Sequence, residues 1–168
     1  MRAFASLLAV CVCTASYARA QESLLLEVDP QQEAYELADM AKHRLTAHVG
    51  VGYPELPRVG VDYLLTGAYS LTAQVGAFVL LPTASVQLNA YLVENLGFRP
   101  YLAPGLLAYM LPDRGALGFA PALRVGFENR GVGGDWFRAE IGAAYDVGPL
   151  AMTVIPIVAV ARGFSPFP

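Results

Sequence analysis

Between Tyr69 and Asn95 the sequence alternates with a period of two, and the two faces so defined are unlike. Tyr69, Leu71, Ala73, Val75, Ala77 and Val79 fall on one face, and Ser70, Thr72, Gln74, Gly76 and Phe78 on the other. After Pro82-Thr83, which reads as a turn, Val86, Leu88, Ala90 and Leu92 stand opposite Ser85, Gln87, Asn89 and Tyr91. Successive side chains of a strand point to opposite sides, so this spacing specifies a hairpin whose faces meet different surroundings. The aliphatic face is continuous, while the other is small, polar and uncharged. That contrast suits a wall with apolar groups outside and a narrow polar interior.

Composition narrows the setting. Hydrophobic residues make up 55% of the 168 and charged residues 15%, against roughly 25% charged in an ordinary soluble domain. Lys42 is the only lysine. A soluble barrel needs a solvated exterior rich in Lys and Glu, which this chain cannot supply. Beyond the N-terminus no segment has the ~20 apolar residues of a membrane-spanning helix. The options are a membrane β-barrel or a deeply buried subunit of a larger assembly. A secreted, lipocalin-like soluble barrel is a further alternative.

Residues 1–20 read as a secretory signal: Arg2 is the basic start, Ala5 to Ala15 the apolar run, and Ala18-Arg19-Ala20 a cleavage site before Gln21. An uncleaved anchor and a lipoprotein signal ending at Cys11 are the alternatives. Cleavage removes both cysteines, Cys11 and Cys13, and so any disulfide or thiolate metal site. It also removes Arg2 and Arg19, which takes the formal charge from −3 to −5 and argues against nucleic acid as a partner.

Residues 21–43 read as a lead-in with a short helix. Asp29, Pro30 and Gln32 make a helix start. Ala34, Leu37, Ala38 and Ala41 share a helical face, and Lys42, His43 and Arg44 crowd the C-terminal end. Such a helix suits a membrane surface, a plug in one barrel mouth, or a solvated lead-in.

Residues 44–164 read as strand after strand, and 165–168 as a tail. Strands are expected near 44–53, 58–65, 69–79, 84–92, 98–110, 116–128, 136–145 and 150–164, with Asn129 to Asp135 a Gly-rich loop. The expectation is therefore an all-β, eight-stranded, antiparallel up-and-down transmembrane barrel. Closing the sheet removes edges that lipid would not tolerate. Tyr53, Tyr69, Phe98, Tyr109, Phe127, Trp136, Tyr145 and Phe164 lie near strand ends, as interfacial girdles do.

A leader, eight amphipathic strands and an outward apolar face make the chain resemble the small outer-membrane barrels of the outer-membrane protein A type. The resemblance covers about Arg44 to Phe164 and implies integral insertion in the outer membrane of a Gram-negative bacterium, with a periplasmic N-terminus. It implies outer-membrane lipids and the barrel-insertion machinery as partners, with other envelope proteins as further ones. Phe164 and Phe167 are the candidates for a C-terminal insertion signal; the terminal Pro168 departs from that pattern.

The inward set expected from parity includes His48, Asp62, Gln74, Gln87, Asn89, Arg124, Arg138 and Glu140. Buried charges must be paired. Arg124, Arg138 and Glu140, on adjacent strands, are therefore expected to form a salt-bridged cluster. Inward glycines leave room, so a narrow pathway stays open as a reading beside a self-satisfied core. Pro100 and Pro104 in the fifth strand and Pro121 in the sixth lack ladder N–H groups, and point to a weak lateral seam between those strands. In a lead helix and proline-interrupted seams the chain is also similar to lipid A palmitoyltransferases. Their His, Asp and Ser do not map here, and the late His-x-Ser of lipid A deacylases has no counterpart after His48. No catalytic residue, metal ligand or cofactor is assigned. The expectation is a structural, envelope-integrity barrel. A pore or lipid-handling barrel is the first alternative and a lipid-modifying enzyme the second.

Overall fold

Each alternating segment forms a strand that turns one face in and one face out, and eight such strands hydrogen-bond in chain order until the last meets the first. The computed structural model describes residues 30–78, 81–93, 96–111, 115–146 and 154–166. The expected signal at 1–20, the cap at Asp29, the expected start of the last strand at 150, Phe167 and Pro168 lie outside them. The chain divides into a segment up to Ala34 and a unit from Tyr35 to Pro168, and the barrel belongs to the second.

A helix, α1 (Pro30–Lys42), precedes β1 (Leu45–Tyr53), β2 (Arg58–Thr66), β3 (Tyr69–Phe78), β4 (Leu81–Tyr91), β5 (Gly97–Leu111), β6 (Ala116–Arg130), β7 (Trp136–Tyr145) and β8 (Val154–Phe164). All neighbouring pairs are antiparallel, and Ala47↔Phe164 through Tyr53↔Val158 close the barrel between β1 and β8. The parity read from the sequence holds. Val75, Leu88 and Ile141 are exposed, whereas Gln74, Gln87 and Glu140 are buried. In β8, apolar on both faces in sequence, Ile155, Ile157, Ala159 and Ala161 turn inward, and Val154, Val158 and Val160 outward.

Three expectations are corrected. Pro82-Thr83 is not the turn: Phe78 pairs with Leu81 and Ala77 with Pro82, so the reversal falls between Phe78 and Leu81, and Pro82 lies exposed inside β4. The sixth strand does not stop at Glu128 but continues through Arg130, paired with both Gly97 and Trp136, before a 3-10 turn at Val132–Gly134. Finally, Tyr109 and Trp136 do not join an outer girdle. Both rings are buried in the lumen, because the inward positions opposite them are Gly118 and Gly163. A side chain at either glycine would collide with the ring that covers it. The space left by these glycines is thus filled by aromatic rings from neighbouring strands.

From Tyr35 onward the helix caps one mouth of the barrel. Met40 is buried against Leu64, Tyr91, Tyr101 and Ala103 at that end, with Leu96 beside them. Glu36 Oε2 accepts the Leu96 N–H at 3.0 Å, and Asp39 Oδ2 accepts the Gly133 N–H at 3.1 Å. The face shared by Leu37, Ala38 and Ala41 is exposed. The Leu37, Ala38 and Ala41 spacing therefore does not mark the buried side, and Glu36, Asp39, Met40 and His43 carry the contacts to the barrel.

Candidate functional site

The lumen holds most of the polar chemistry of the described residues. Its buried guanidinium groups are Arg58, Arg99, Arg124, Arg130 and Arg138, and its buried carboxylates Glu55, Asp62, Glu128, Glu140 and Asp146. Five of each sign balance formally. Removing charges from water is costly unless they are paired at close range, and closure of the sheet brings the partners across the barrel.

Two layers result. Toward the helix-capped mouth, Arg138 from β7 meets Glu128 at 2.6 Å and Asp62 at 3.2 Å. Arg130 joins Glu128 at 2.8 Å and Asp62 at 3.4 Å, and Arg99 reaches Glu128 at 3.4 Å. Ser70, Thr72 and Asn89 donate to Asp62, and the Tyr91 hydroxyl donates to Glu128 at 2.8 Å. Arg99 lies 3.7 Å over the Tyr91 ring and Arg138 4.4 Å over that of Trp136, contacts in which a desolvated cation gains from the aromatic face. In the second layer Arg58 meets Glu140 at 2.6 Å, the Tyr101 hydroxyl donates to Glu140 at 2.7 Å, and Arg124 donates to Gln87. A Gln87 N–H donates to Asn89 Oδ1 at 2.8 Å and joins the layers. Beyond them Leu107, Tyr109, Ala120, Ala122, Ala144, Ile155 and Ile157 pack into an apolar cluster.

All eight residues expected inside are buried there, but not as one cluster. The expected Arg124–Arg138–Glu140 group is split. Arg138 belongs to the first layer, while Glu140 takes Arg58 and lies 3.9 Å from Arg124. Asp62 and Asn89 sit with Arg138; Gln74, Gln87 and Arg124 sit with Glu140. His48 Nε2 lies 3.3 Å from Gln74 Oε1, and its ring is 5.5 Å from Trp136. Arg58, Glu128 and Arg130 share the inward parity of residues already assigned, so extending the count finds them. Arg99 is obscured in sequence by the prolines that interrupt the fifth strand. Glu55 carries no sequence signal. It lies in the β1–β2 connection, yet folds back into the lumen, where Ser85 donates to it at 2.7 Å, and Gly76 leaves the space for its entry.

The proline seam also moves. The β5–β6 ladder is continuous from Gly97↔Arg130 to Leu111↔Ala116. The β4–β5 register instead skips from Gln87↔Gly105 to Ala90↔Leu102. The Leu92 N–H donates to the Pro100 carbonyl at 2.9 Å, so the backbone edge of Pro100 faces β4, and Pro104, four residues on, shares it. The missing N–H groups therefore cost hydrogen bonds to β4 and none to β6. Pro121 lies beyond the Ala122↔Ala144 end of the β7 register.

At the capped mouth, His43 Nδ1 lies 3.0 Å from Ser165 Oγ and Nε2 3.7 Å from Asp39 Oδ1. The residue types are those of a hydrolytic triad, but 3.7 Å is too long for the orienting hydrogen bond. Gly134, at φ +82°, packs against both His43 and Ser165. The trio ties helix, loop and C-terminal segment together. No group of three metal-ligating side chains occurs among the described residues.

No protein-family model, no curated protein and no solved structure matches this chain. The reading of the lumen therefore rests on its own geometry.

Proposed function

We propose that this chain is a small outer-membrane β-barrel, closed to ions, with a structural role in the envelope or as one subunit of an envelope assembly. One observation carries the reading: the barrel is inside-out. Val49, Val61, Leu71, Val75, Phe119, Ile141 and Val158 are among the large apolar side chains exposed round the wall, while the charges of the described strands, Arg162 excepted, are buried in the lumen. Water would penalise that exterior, and an apolar solvent would favour it. Strands of 9 to 15 residues suit a tilted crossing. Exposed Tyr53, Tyr69, Phe98, Tyr145 and Phe164 supply the aromatic groups of an interface. On this reading residues 1–20 direct export and the lipids of the outer membrane cover the wall.

The closed lumen favours the structural role over the pore, since paired arginines and aromatic rings occupy the axis. The experiment is heat-modifiable gel migration of the mature protein in detergent, with planar-bilayer recording alongside. A compact form that converts on boiling, with no ionic steps, is expected. A monodisperse protein in surfactant-free buffer would overturn the membrane reading, and steady conductance steps the closed one. Mass analysis of lipid A with and without the protein tests the enzymatic alternative.

A further inference from the structure

Among the described residues, exposed charge is confined to one end of the barrel. The side chains that carry it are Lys42 and Arg44, where α1 passes into β1, Asp135 in the β6–β7 loop, and Arg162 near the end of β8. Asp135 and Arg162 face each other at 3.8 Å. Lys42 and Arg44 have no ion-pair partner among the described residues. The Arg44 backbone is anchored at the rim, because its carbonyl accepts the Leu64 N–H at 2.8 Å. Arg44 lines a notch of about 150 Å³ between α1 and the barrel rim, together with Leu37, Met40, Ala41, Leu64, Leu65, Thr66 and Gly67.

We propose that this notch takes the head of an anionic phospholipid, with Arg44 on the phosphate and the first acyl methylenes against Leu37, Ala41 and Leu65. The proposal rests on the bilayer reading above and adds a specific lipid contact to it. Three features select the ligand. Five of the eight lining residues are apolar, so an occupant with a run of main-chain polar groups would leave most of them unpaired. The volume, about that of five waters, admits part of a lipid and no peptide segment. The exposed charge at this end is three cations to one anion, the half-buried Glu36 and Asp39 accept the Leu96 and Gly133 N–H groups, and among the described residues Arg44 is the one charged side chain in the lining of the notch, so an anionic head finds its partner there. Leu65 also belongs to the exposed outer wall, as do Leu45 and Tyr63 beside it. The notch therefore opens where the apolar wall ends, at the depth of a lipid phosphate. Arginine suits that place, with its stem along apolar surface and its charge at the boundary.

The test is native mass spectrometry of the full mature chain, folded in dodecyl maltoside and titrated with dimyristoylphosphatidylglycerol or dimyristoylphosphatidylcholine. One phosphatidylglycerol should bind saturably, about fivefold tighter than phosphatidylcholine. Arg44→Gln should remove the preference and Arg44→Lys keep most of it. Ala41→Trp, which fills the notch, should abolish saturable binding. Arg162→Gln should leave it unchanged, and an equal loss there would show a diffuse cationic rim and sink the proposal. Competition by millimolar inorganic phosphate would overturn the lipid assignment. Equal retention of the two lipids by a protein that still shows heat-modifiable migration defeats the notch alone. Loss of that migration itself defeats the membrane reading.

Discussion

Glu140 shows what a single lumenal residue is worth. It is buried, 2.6 Å from Arg58 and 3.9 Å from Arg124; removing it strands Arg58, whereas Arg124 keeps Glu55 at 3.8 Å. Breaking a buried pair from one side costs about 3–5 kcal/mol, whereas replacing both partners with apolar groups is often neutral. Glu140→Ala should therefore lower the temperature at which the compact gel form converts, and Arg58→Met with Glu140→Leu should recover most of the loss. Equal midpoints for the single variant and the parent would mean that the pair is not formed. Trp136, the only tryptophan, offers a second residue-scale measurement. Its Nε1–H donates to Thr46 at 2.9 Å and its ring covers Gly163. Gly163→Leu must displace that ring, at an overpacking cost of about 1–3 kcal/mol. The emission of Trp136 should shift to the red; an unmoved spectrum would place the indole elsewhere. At this scale the inward list is legible from parity alone. The pairing is not, because parity says which way a side chain points and nothing of what lies across the lumen.

At the scale of elements, the strands are local and the helix is not. Each strand is written in its own alternation, and its prolines fall where the backbone edge turns from β6 or runs past a neighbour. The helix carries two stripes, and either one fits some surface. Contacts made by Met40, Glu36 and Asp39 at the mouth decide between them. Met40→Ala should open a cavity there, costing about 2–5 kcal/mol, and raise quenching of Trp136 by acrylamide. Unchanged quenching together with unchanged stability would count against a capping helix.

For the whole molecule, the decisive property is the solvent the wall is built for. Ile141 is 59% exposed on β7. On a soluble barrel Ile141→Arg would be nearly silent. On a barrel in a bilayer it should cost about 2–4 kcal/mol near the midplane, seen as reduced folding yield into phosphatidylcholine vesicles with folding in detergent retained. Equal vesicle yields for variant and parent would argue that the wall does not meet acyl chains. Formal neutrality of the lumen belongs to this scale as well. The charges of the described strands, Arg162 excepted, are gathered inside, where Asp62 and Glu140 meet arginines from distant strands and Glu128 meets those of its own strand and its two neighbours.

From the sequence alone came the strand number and, in six of the eight strands, the direction of the side chains and the polarity of each face, because a period of two and the turn residues between segments are local signals; the fifth strand and the doubly apolar eighth carried no such assignment. Only the tertiary structure decided that Arg58 meets Glu140 across 82 positions of chain, that Glu55 enters the lumen from a turn, that the ladder gap lies between β4 and β5, and that the helix presents Glu36, Asp39 and Met40 to the barrel. These depend on how far each strand slides against its neighbour before the sheet closes. That offset is a property of the whole ring, and no single segment encodes it.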